Sequence, residues 1–125
     1  MPYRKKLQEL LNEKKISGVF IFTSNGDIFW HTGTFPQADN KFIDGYKLLS
    51  DWMTYPSSIT VAGVKYVSIM NAYPNYWVVT NPNNYGSLIF QHNSSLGYYF
   101  LCWLDSSQDP LEVQKEIKIM VDLFA

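Results

Sequence analysis

Apolar residues recur with a helical period in three stretches of the chain, near its start, before its middle and at its end. The three amphipathic helices predicted from this period cover residues 2–15, 39–53 and 110–124. Asp39 or Asn40 is expected to cap the middle helix, because a short side-chain oxygen can accept the free N–H groups of a first turn. Asp109 is the expected cap of the last helix, whose first position, Pro110, suits a helix start.

Between these stretches the pattern changes to short runs rich in aromatic and β-branched residues, as in strands. The predicted strands cover residues 18–22, 27–32, 59–61, 65–70, 76–80, 87–92 and 98–104. The segments that separate them carry Gly, Pro, Asn and Ser, which are turn residues. Asn25-Gly26 predicts a type I′ hairpin between the first two strands. Because most connections are short, we expect mainly antiparallel pairing.

Several predicted strands are apolar on both faces, so the sheet must be covered on both sides. Residues 19–22 and 98–104 show this most clearly, and the predicted helices are the segments that can provide the cover. We therefore expect an α+β fold in a single domain, residues 1–125. A central antiparallel sheet of about five to seven strands would carry the terminal helices on one face and the middle helix on the other. In that arrangement Ile28 and Phe29 can both be buried.

The composition of the chain favours a binding protein over an enzyme. The chain has 125 residues and a net charge of −1, so no overall field attracts nucleic acid. The single cysteine, Cys102, lies in an apolar strand, where an inert buried thiol in a reducing compartment is expected. Neither His31 nor His92 has partners at catalytic or metal-binding spacing, and no glycine-rich phosphate loop occurs. We predict no catalytic residue, metal or cofactor.

Aromatic residues and one basic helix face are the features left for partner binding. Phe, Trp and Tyr make up 17% of the chain, more than a small core comfortably buries, and exposed Tyr and Trp are good anchors for partners. Arg4, Lys5 and Lys6 give the first helix a basic side, which is either a solvated face or a contact for acidic lipid headgroups. No signal peptide or membrane-spanning run is apparent, so a cytoplasmic location is expected.

The segment SITVAGVKYVSIMN, residues 58–71, resembles the profilin segment that reads approximately GLTLGGxKCSVIRD. Thr60, Gly63, Lys65 and Ile69 fall in register with it. The segment SNGDIFWHT is similar to the second strand of profilins, where an aromatic run ends in tryptophan. The order of elements agrees over essentially the whole chain, which is shorter than most eukaryotic profilins and resembles the divergent profilins of Asgard archaea.

This resemblance implies a non-enzymatic, cytoskeletal protein that binds monomeric actin and regulates filament assembly, mainly as a monomer. The positions that match actin-facing positions of the family are Tyr55, Lys65, Ile69, Met70, Gln114, Lys115 and Lys118. Met70 stands where the family usually has arginine, and Lys118 replaces an aromatic residue. The three lysines are expected to form a basic rim toward the acidic surface of actin.

The resemblance also implies a groove for proline-rich peptides, which are already extended and lose little entropy on binding. Tyr3 and Trp30 match aromatic residues of that groove, and Phe124 is a substitute for the terminal tyrosine of the family. Lys6 occupies the place of a second aromatic residue, so weak or altered proline recognition is expected. The basic residues Arg4, Lys5 and Lys6 are the candidates for weak phosphoinositide binding.

Two other classes of protein remain as alternatives. A roadblock or longin-type module also combines an antiparallel sheet with a few helices, and it would form dimers or scaffolds that regulate small GTPases. Such modules usually have five strands, whereas seven strand-like runs occur here. A small enzyme is the weaker alternative, because the residues that would carry the chemistry are missing. Strand count and oligomeric state therefore discriminate between the first two classes.

Overall fold

The structure of the protein is a computed structural model that describes residues 2–33, 44–61, 63–83 and 85–122, except for the side chains of residues 2 and 3. In chain order the elements are α1 (Pro2–Asn12), β1 (Gly18–Thr23), β2 (Ile28–Gly33), α2 (Gly45–Met53), β3 (Ser58–Val61), β4 (Val64–Ala72), β5 (Tyr76–Thr80), β6 (Ser87–Asn93), β7 (Tyr98–Leu104) and α3 (Pro110–Asp122). All seven predicted strands are confirmed, with bounds within two residues of the expected ones. None of the helices in the described ranges is long and apolar enough to cross a membrane.

The seven strands form one sheet in the order β2-β1-β7-β6-β5-β4-β3. Every neighbouring pair is antiparallel. The last strand, β7, pairs with β1 and so joins the N-terminal hairpin to the meander formed by β3 to β7. The sheet is therefore antiparallel throughout its described length, as the short turns predicted.

Each face of the sheet has its own apolar core, and the helices lie as expected. On one face α1 and α3 pack on a cluster formed by Leu7, Ile16, Val19, Ile21, Val78, Ile89, Phe100, Cys102, Leu104, Val113, Ile117, Met120 and Val121. On the other face α2 packs on a cluster formed by Phe20, Phe22, Leu48, Trp52, Ile59, Val61, Val64, Tyr66, Trp77, Val79, Leu88, Phe90 and Leu101. The predicted α+β arrangement with terminal helices on one face and the middle helix on the other is confirmed.

The start of α2 differs from the prediction. Its N-cap is Asp44, whose carboxylate accepts the N–H of Lys47 at 3.0 Å, so neither Asp39 nor Asn40 caps the helix. Residues 39–43 of the predicted helix lie outside the described residues. A Cβ on Gly45 would stand 2.5 Å from the carbonyl oxygen of Gly26. The close packing of α2 on the β1–β2 turn therefore requires glycine at the first helical position.

The β1–β2 hairpin also departs from the prediction in two ways. A type I′ turn needs positive φ at Asn25 and Gly26, but only Gly26 has it, at 86°. The pairing then skips a residue, since Ile21 faces Trp30 whereas Phe22 faces Ile28. Phe29 is the extra residue of this bulge and is exposed, with its ring against Tyr98. The expectation that Ile28 and Phe29 are both buried is therefore wrong for Phe29, and Ile28 is half-buried against the α2 core.

The C-terminal helix begins as predicted. The carboxylate of Asp109 accepts the N–H of Leu111 at 3.0 Å, which confirms it as the cap of α3. The helix is described as far as Asp122, and residues 123 and 124 of the predicted helix lie outside the described residues. Its buried stripe packs mainly across β6 and β5.

Candidate protein-binding surface

One face of β4 is not covered by any helix in the described part of the chain. Val64 and Tyr66 point into the α2 core and are buried, whereas Lys65 points the other way and is exposed. Farther along the strand Ile69 is 45% exposed and Met70 is 40% exposed. This surface, formed by Lys65, Val67, Ile69 and Met70, is called the open β4 face below.

A β-bulge brings Ile69 and Met70 onto the same side of the sheet. Ser68 faces the α2 side, where its hydroxyl accepts the indole N–H of Trp77 at 2.9 Å. Asn71 also faces that side, because its side chain accepts the indole N–H of Trp52 at 2.9 Å. The strand register shifts between Ser68 and Met70. Ile69 and Met70, which lie between the inward-facing Ser68 and Asn71, therefore both face the open side of the sheet. The bulge thus places two apolar side chains at the centre of the open β4 face, where a regular strand would place one.

Tyr76 connects the open β4 face to α3. Its hydroxyl donates to the sulfur of Met70 at 3.0 Å. Tyr76 and Lys118 both line a polar cavity of about 260 Å³ at the end of α3, together with Asn75 and Asp122. The exposed edge of α3 therefore lies beside the open β4 face, and the two form one surface.

The three predicted rim lysines are exposed but differ in their partners. Lys118 pairs with Asp122 at 2.6 Å, and Lys115 lies 3.7 Å from Glu112. Lys65 forms no ion pair within the described residues. Exposed pairs of this kind contribute little to stability. The carboxylates of Glu112 and Asp122 reduce the positive potential along α3. Lys65 therefore contributes most of the positive potential at the open β4 face.

Gln114 lies in a different environment from the other predicted actin-facing residues. It is only 7% exposed, and its amide donates to the side chain of Gln91 at 3.4 Å. Gln91 in turn donates to the carbonyl of Asn75. The side chain of Gln114 therefore supports the packing of α3 on β6, and its role as an actin contact stays a prediction.

Tyr55 combines exposure with an unfavourable backbone conformation. It follows the end of α2 with φ at 52°, in the left-handed region that glycine or asparagine usually occupies after a helix. Its side chain is nevertheless 60% exposed, with its ring 6.3 Å from that of Tyr73. A bulky side chain held outward at a strained position is typical of a functional site.

The residues predicted for proline-rich peptides are only partly described. Trp30 packs on the edge of the α1/α3 core, and the guanidinium carbon of Arg4 lies 5.3 Å from the centre of its ring. The side chain of Tyr3 and the whole of Phe124 lie outside the described residues. The structure therefore brings Trp30 together with Arg4, which covers part of the ring that a proline-rich ligand would use.

The predicted basic side of α1 is smaller than the sequence indicates. Arg4 is half-buried on Trp30, and Lys6 lies 3.5 Å from Glu9, which leaves Lys5 as the fully solvated cation of the three. Just after the helix, Lys15 donates to Glu116 of α3 at 2.7 Å, and this hydrogen bond raises the pKa of Lys15. The N-terminal region thus uses several of its charges in contacts within the protein.

The described residues contain no cluster of metal-binding side chains. No group of three or more His, Cys, Asp or Glu side chains in this part of the chain could hold a metal ion. Cys102 is fully buried, and burial raises the pKa of its thiol to about 12. His92 stacks on Tyr99, and burial lowers the pKa of His92 more than a hydrogen bond with Pro74 raises it. These groups are placed for packing.

A second exposed apolar region was not predicted from the sequence. Met53 at the end of α2 is 54% exposed, and Tyr46 and Tyr73 are exposed beside it. The three line a groove of about 240 Å³ with Leu49 and Tyr99. Met53 fits the apolar stripe of the predicted middle helix, so the helical period indicated that its side chain is buried. Nothing in the sequence of the turn around Tyr73 indicated that this tyrosine lies at the surface.

No protein-family model matches the sequence, and no curated protein matches it. Solved structures do match. LokiProfilin2 in complex with rabbit actin superposes with a TM-score of 0.76 at 13% identity, over 97% of this chain and 93% of that chain. LokiProfilin1 gives 0.76 at 17% identity, over 97% and 93%. Schizosaccharomyces pombe profilin gives 0.73 at 16% identity, over 99% and 96%.

These likenesses establish the fold of the chain. The chain is an α+β protein whose seven-stranded antiparallel sheet lies between one helix and a pair of terminal helices. That architecture, matched over nearly the whole of both chains, is the profilin fold. The fold implied by the sequence resemblance is therefore confirmed.

Proposed function

We propose that this chain binds monomeric actin and regulates filament assembly without catalysing a reaction. The observation that carries the proposal is the open β4 face, an apolar strand surface left uncovered beside α3 in a profilin fold. LokiProfilin1 and LokiProfilin2, which share the fold, have been solved in complexes with rabbit actin. Binding would occupy one face of the actin monomer, which prevents some contacts between monomers and permits others.

The open β4 face has the layout of a protein interface. Ile69 and Met70 supply an exposed apolar centre, and Lys65 and Lys118 supply a charged rim. Interfaces commonly bury apolar and aromatic side chains at the centre and keep polar groups at the edge. Rim cations affect the association rate and its salt dependence more than the lifetime of a complex. We therefore expect Ile69 and Met70 to determine most of the affinity for actin. Lys65 is expected to raise the association rate by electrostatic attraction.

The direct test is a titration of monomeric actin, from the host itself where obtainable, with complex formation followed by gel filtration and nucleation by the polymerisation rate. We expect a 1:1 complex and slower nucleation. Lys65→Glu should weaken the complex about tenfold at low salt, and Lys115→Glu should weaken it less because Glu112 already lies beside that lysine. Lys5→Glu, on α1, is the matched charge control and should leave the affinity unchanged. Absence of a complex with cognate actin would contradict the proposal.

The remaining expectations from the resemblance stay part of the proposal. They are a single domain over residues 1–125, a monomer in the cytoplasm, proline-rich peptides at Tyr3, Trp30 and Phe124, and weak phosphoinositide contacts at Arg4, Lys5 and Lys6. The stacking of Arg4 on Trp30 supports weak rather than strong proline recognition.

A scaffold module that regulates small GTPases is less well supported. Roadblock and longin-type modules usually have five strands, whereas the described sheet has seven in one continuous order. Such modules also form dimers or scaffolds, so an obligate homodimer in a solution mass measurement would favour them. A monomer would favour the actin-binding proposal.

A further inference from the structure

The groove of about 240 Å³ on the α2 side of the sheet is separate from the open β4 face. Its first wall is the outer stripe of α2, formed by Tyr46, Ser50 and Met53 beside the buried stripe of that helix. Its second wall joins three other segments of the chain through Ser24, Tyr73 and Tyr99. These six residues are called the tyrosine groove below. Tyr46 is 68% exposed and Met53 is 54% exposed, and apolar surface left in water at a concave site usually marks an interaction surface.

The core holds the tyrosine rings of the second wall in place. Tyr99 lies on β7, between β6 and β1, and its ring stacks on His92 at 4.3 Å and on Phe22 at 5.8 Å. Tyr73 meets the buried Trp52 edge-on, with ring centres 5.4 Å apart. Side chains that are already ordered lose little conformational entropy when a ligand binds. The second wall of the tyrosine groove is therefore a preorganised surface.

Hydroxyl groups lie among the apolar side chains of the tyrosine groove. Within the part of the chain that the structure describes, no protein group hydrogen-bonds to the side-chain hydroxyls of Ser24, Tyr46, Ser50, Tyr73 and Tyr99. Burial, and to a smaller extent the nearby phenol of Tyr73, raises the pKa of Tyr99, so that this hydroxyl keeps its proton and can donate. An extended peptide offers its backbone carbonyl groups as acceptors. Hydroxyl donors beside an apolar surface therefore fit an extended peptide segment.

The charges beside the tyrosine groove are mainly negative. Asp44 caps α2 two residues before Tyr46, and Asp27 follows Gly26, which packs on the backbone of Tyr46. Both carboxylates are exposed, and neither forms an ion pair within the described residues. Lys47 is already paired, at 2.6 Å, with a carboxylate of its own helix. The end of the groove near Tyr46 therefore attracts a positively charged ligand.

We propose that the tyrosine groove binds a short extended segment of a partner protein in which a lysine or arginine lies beside apolar residues. The apolar side chains pack on Met53, and the backbone carbonyls accept the hydroxyls of Tyr73 and Tyr99. The basic side chain lies toward Asp44. This binding is independent of the actin binding proposed above, because the tyrosine groove and the open β4 face lie on opposite sides of the sheet.

The first test is a selection from a random peptide library, displayed on phage, with the full chain immobilised. Peptides that also bind the double variant Tyr46→Ser, Met53→Ser are removed. This variant should fold like the parent, because both side chains are mostly exposed, and circular dichroism checks that it does. The remaining peptides should carry lysine or arginine next to apolar residues. Selection of acidic peptides, or of none that depend on the groove, would overturn the proposal.

The second test measures the dissociation constant of the tightest selected peptide, labelled with fluorescein, by fluorescence anisotropy. Asp44→Asn removes the charge but keeps a side chain that caps a helix. It should weaken binding about threefold at low salt and much less at high salt, and its urea midpoint should stay near that of the parent. Asp27→Asn should act in the same way.

Glu112→Gln is the matched control, because it removes an exposed carboxylate from α3, on the other side of the sheet. The affinity of this variant for the peptide should stay within about twofold of the parent, since a distant exposed charge is screened. An equal loss for Glu112→Gln and Asp44→Asn would show a general charge effect and overturn the proposal. Self-association in sedimentation that Tyr46→Ser abolishes, with no selected peptide, would assign the groove to a second copy of the chain instead.

Discussion

The two halves of the sheet differ in how many faces are covered. In β6 and β7 nearly every side chain is buried, because α1 and α3 pack on one face and α2 on the other. In β4 burial alternates until the bulge, and then Ile69 and Met70 are exposed together. The doubly covered half contains most of the buried core, and the singly covered half leaves exposed the apolar surface on which the proposed actin binding depends.

This difference has a simple structural origin. The buried stripe of α3 packs mainly on β6 and β5, and Lys118 on its exposed side lines the same cavity as Tyr76. Leaving Ile69 and Met70 in water forgoes the stabilisation that burial would give them, about 25 cal/mol for each Å². A protein keeps such a surface exposed when a partner covers it. The same two residues therefore contribute little to folding and much to the proposed binding.

The largest difference between the halves should appear in alanine variants. Phe100→Ala, in the doubly covered half, should lower the free energy of unfolding by about 3–5 kcal/mol, because it leaves a cavity in the α1/α3 core. Ile69→Ala should lower it by about 1 kcal/mol or less, since much of its side chain is already in water. Urea unfolding followed by circular dichroism measures both. Similar losses for the two variants would show that the open β4 face is part of the core.

Two glycines with positive φ extend the comparison to the backbone. A Cβ on Gly86 would stand 2.2 Å from the carbonyl oxygen of Leu104, so Gly86→Ala must displace β6 from β7 and should cost about 3 kcal/mol. A Cβ on Gly63, in the turn between β3 and β4, meets nothing within 4 Å. Gly63→Ala should therefore cost only the left-handed strain, about 1–2 kcal/mol. Thermal unfolding of both variants checks the order, and a larger loss for Gly63→Ala would contradict it.

The smallest expected effect is a pH dependence at His92, near the end of the doubly covered half. Burial lowers the pKa of His92 in the folded chain, whereas in the unfolded chain it keeps its ordinary value of about 6.5. The unfolded chain therefore binds more protons below that pH, and the stability contributed by neutral His92 is complete above about pH 6.5 and lost as the pH falls. Urea titrations at pH 7.5 and 5.5 should show a smaller loss for His92→Gln than for the parent. Equal losses would mean that His92 titrates alike in both states.

Most of the fold could be predicted because the doubly covered strands leave a clear pattern. Residues such as 19–22 are apolar without interruption, and a sheet with such strands needs helices on both faces. The start of α2 at Gly45 was missed because Asp39, Asn40 and Asp44 all carry a side chain that can cap a helix, and the close packing of Gly45 on Gly26 appears only in the folded chain. No sequence period could indicate that contact.

The candidate surface was predicted less completely, since it depends on register and side-chain direction. The bulge that puts Ile69 and Met70 on one face appears only in the pairing with β5. Gln114 was assigned to the surface by its match to an actin-facing position of the family, and its hydrogen bond with the buried Gln91 appears only in the folded chain. Met53 and Tyr73 come together only in the folded chain. Tertiary contacts decided each of these cases.

Hydrogen exchange of the protein with and without cognate monomeric actin is the most direct test of the central claim. The account predicts that actin slows exchange in β4, from Lys65 to Ala72, and along the exposed edge of α3, while the β1–β2 hairpin is unchanged. Slower exchange in the β1–β2 hairpin with β4 unaffected would contradict it, because the partner would then bind the opposite end of the sheet.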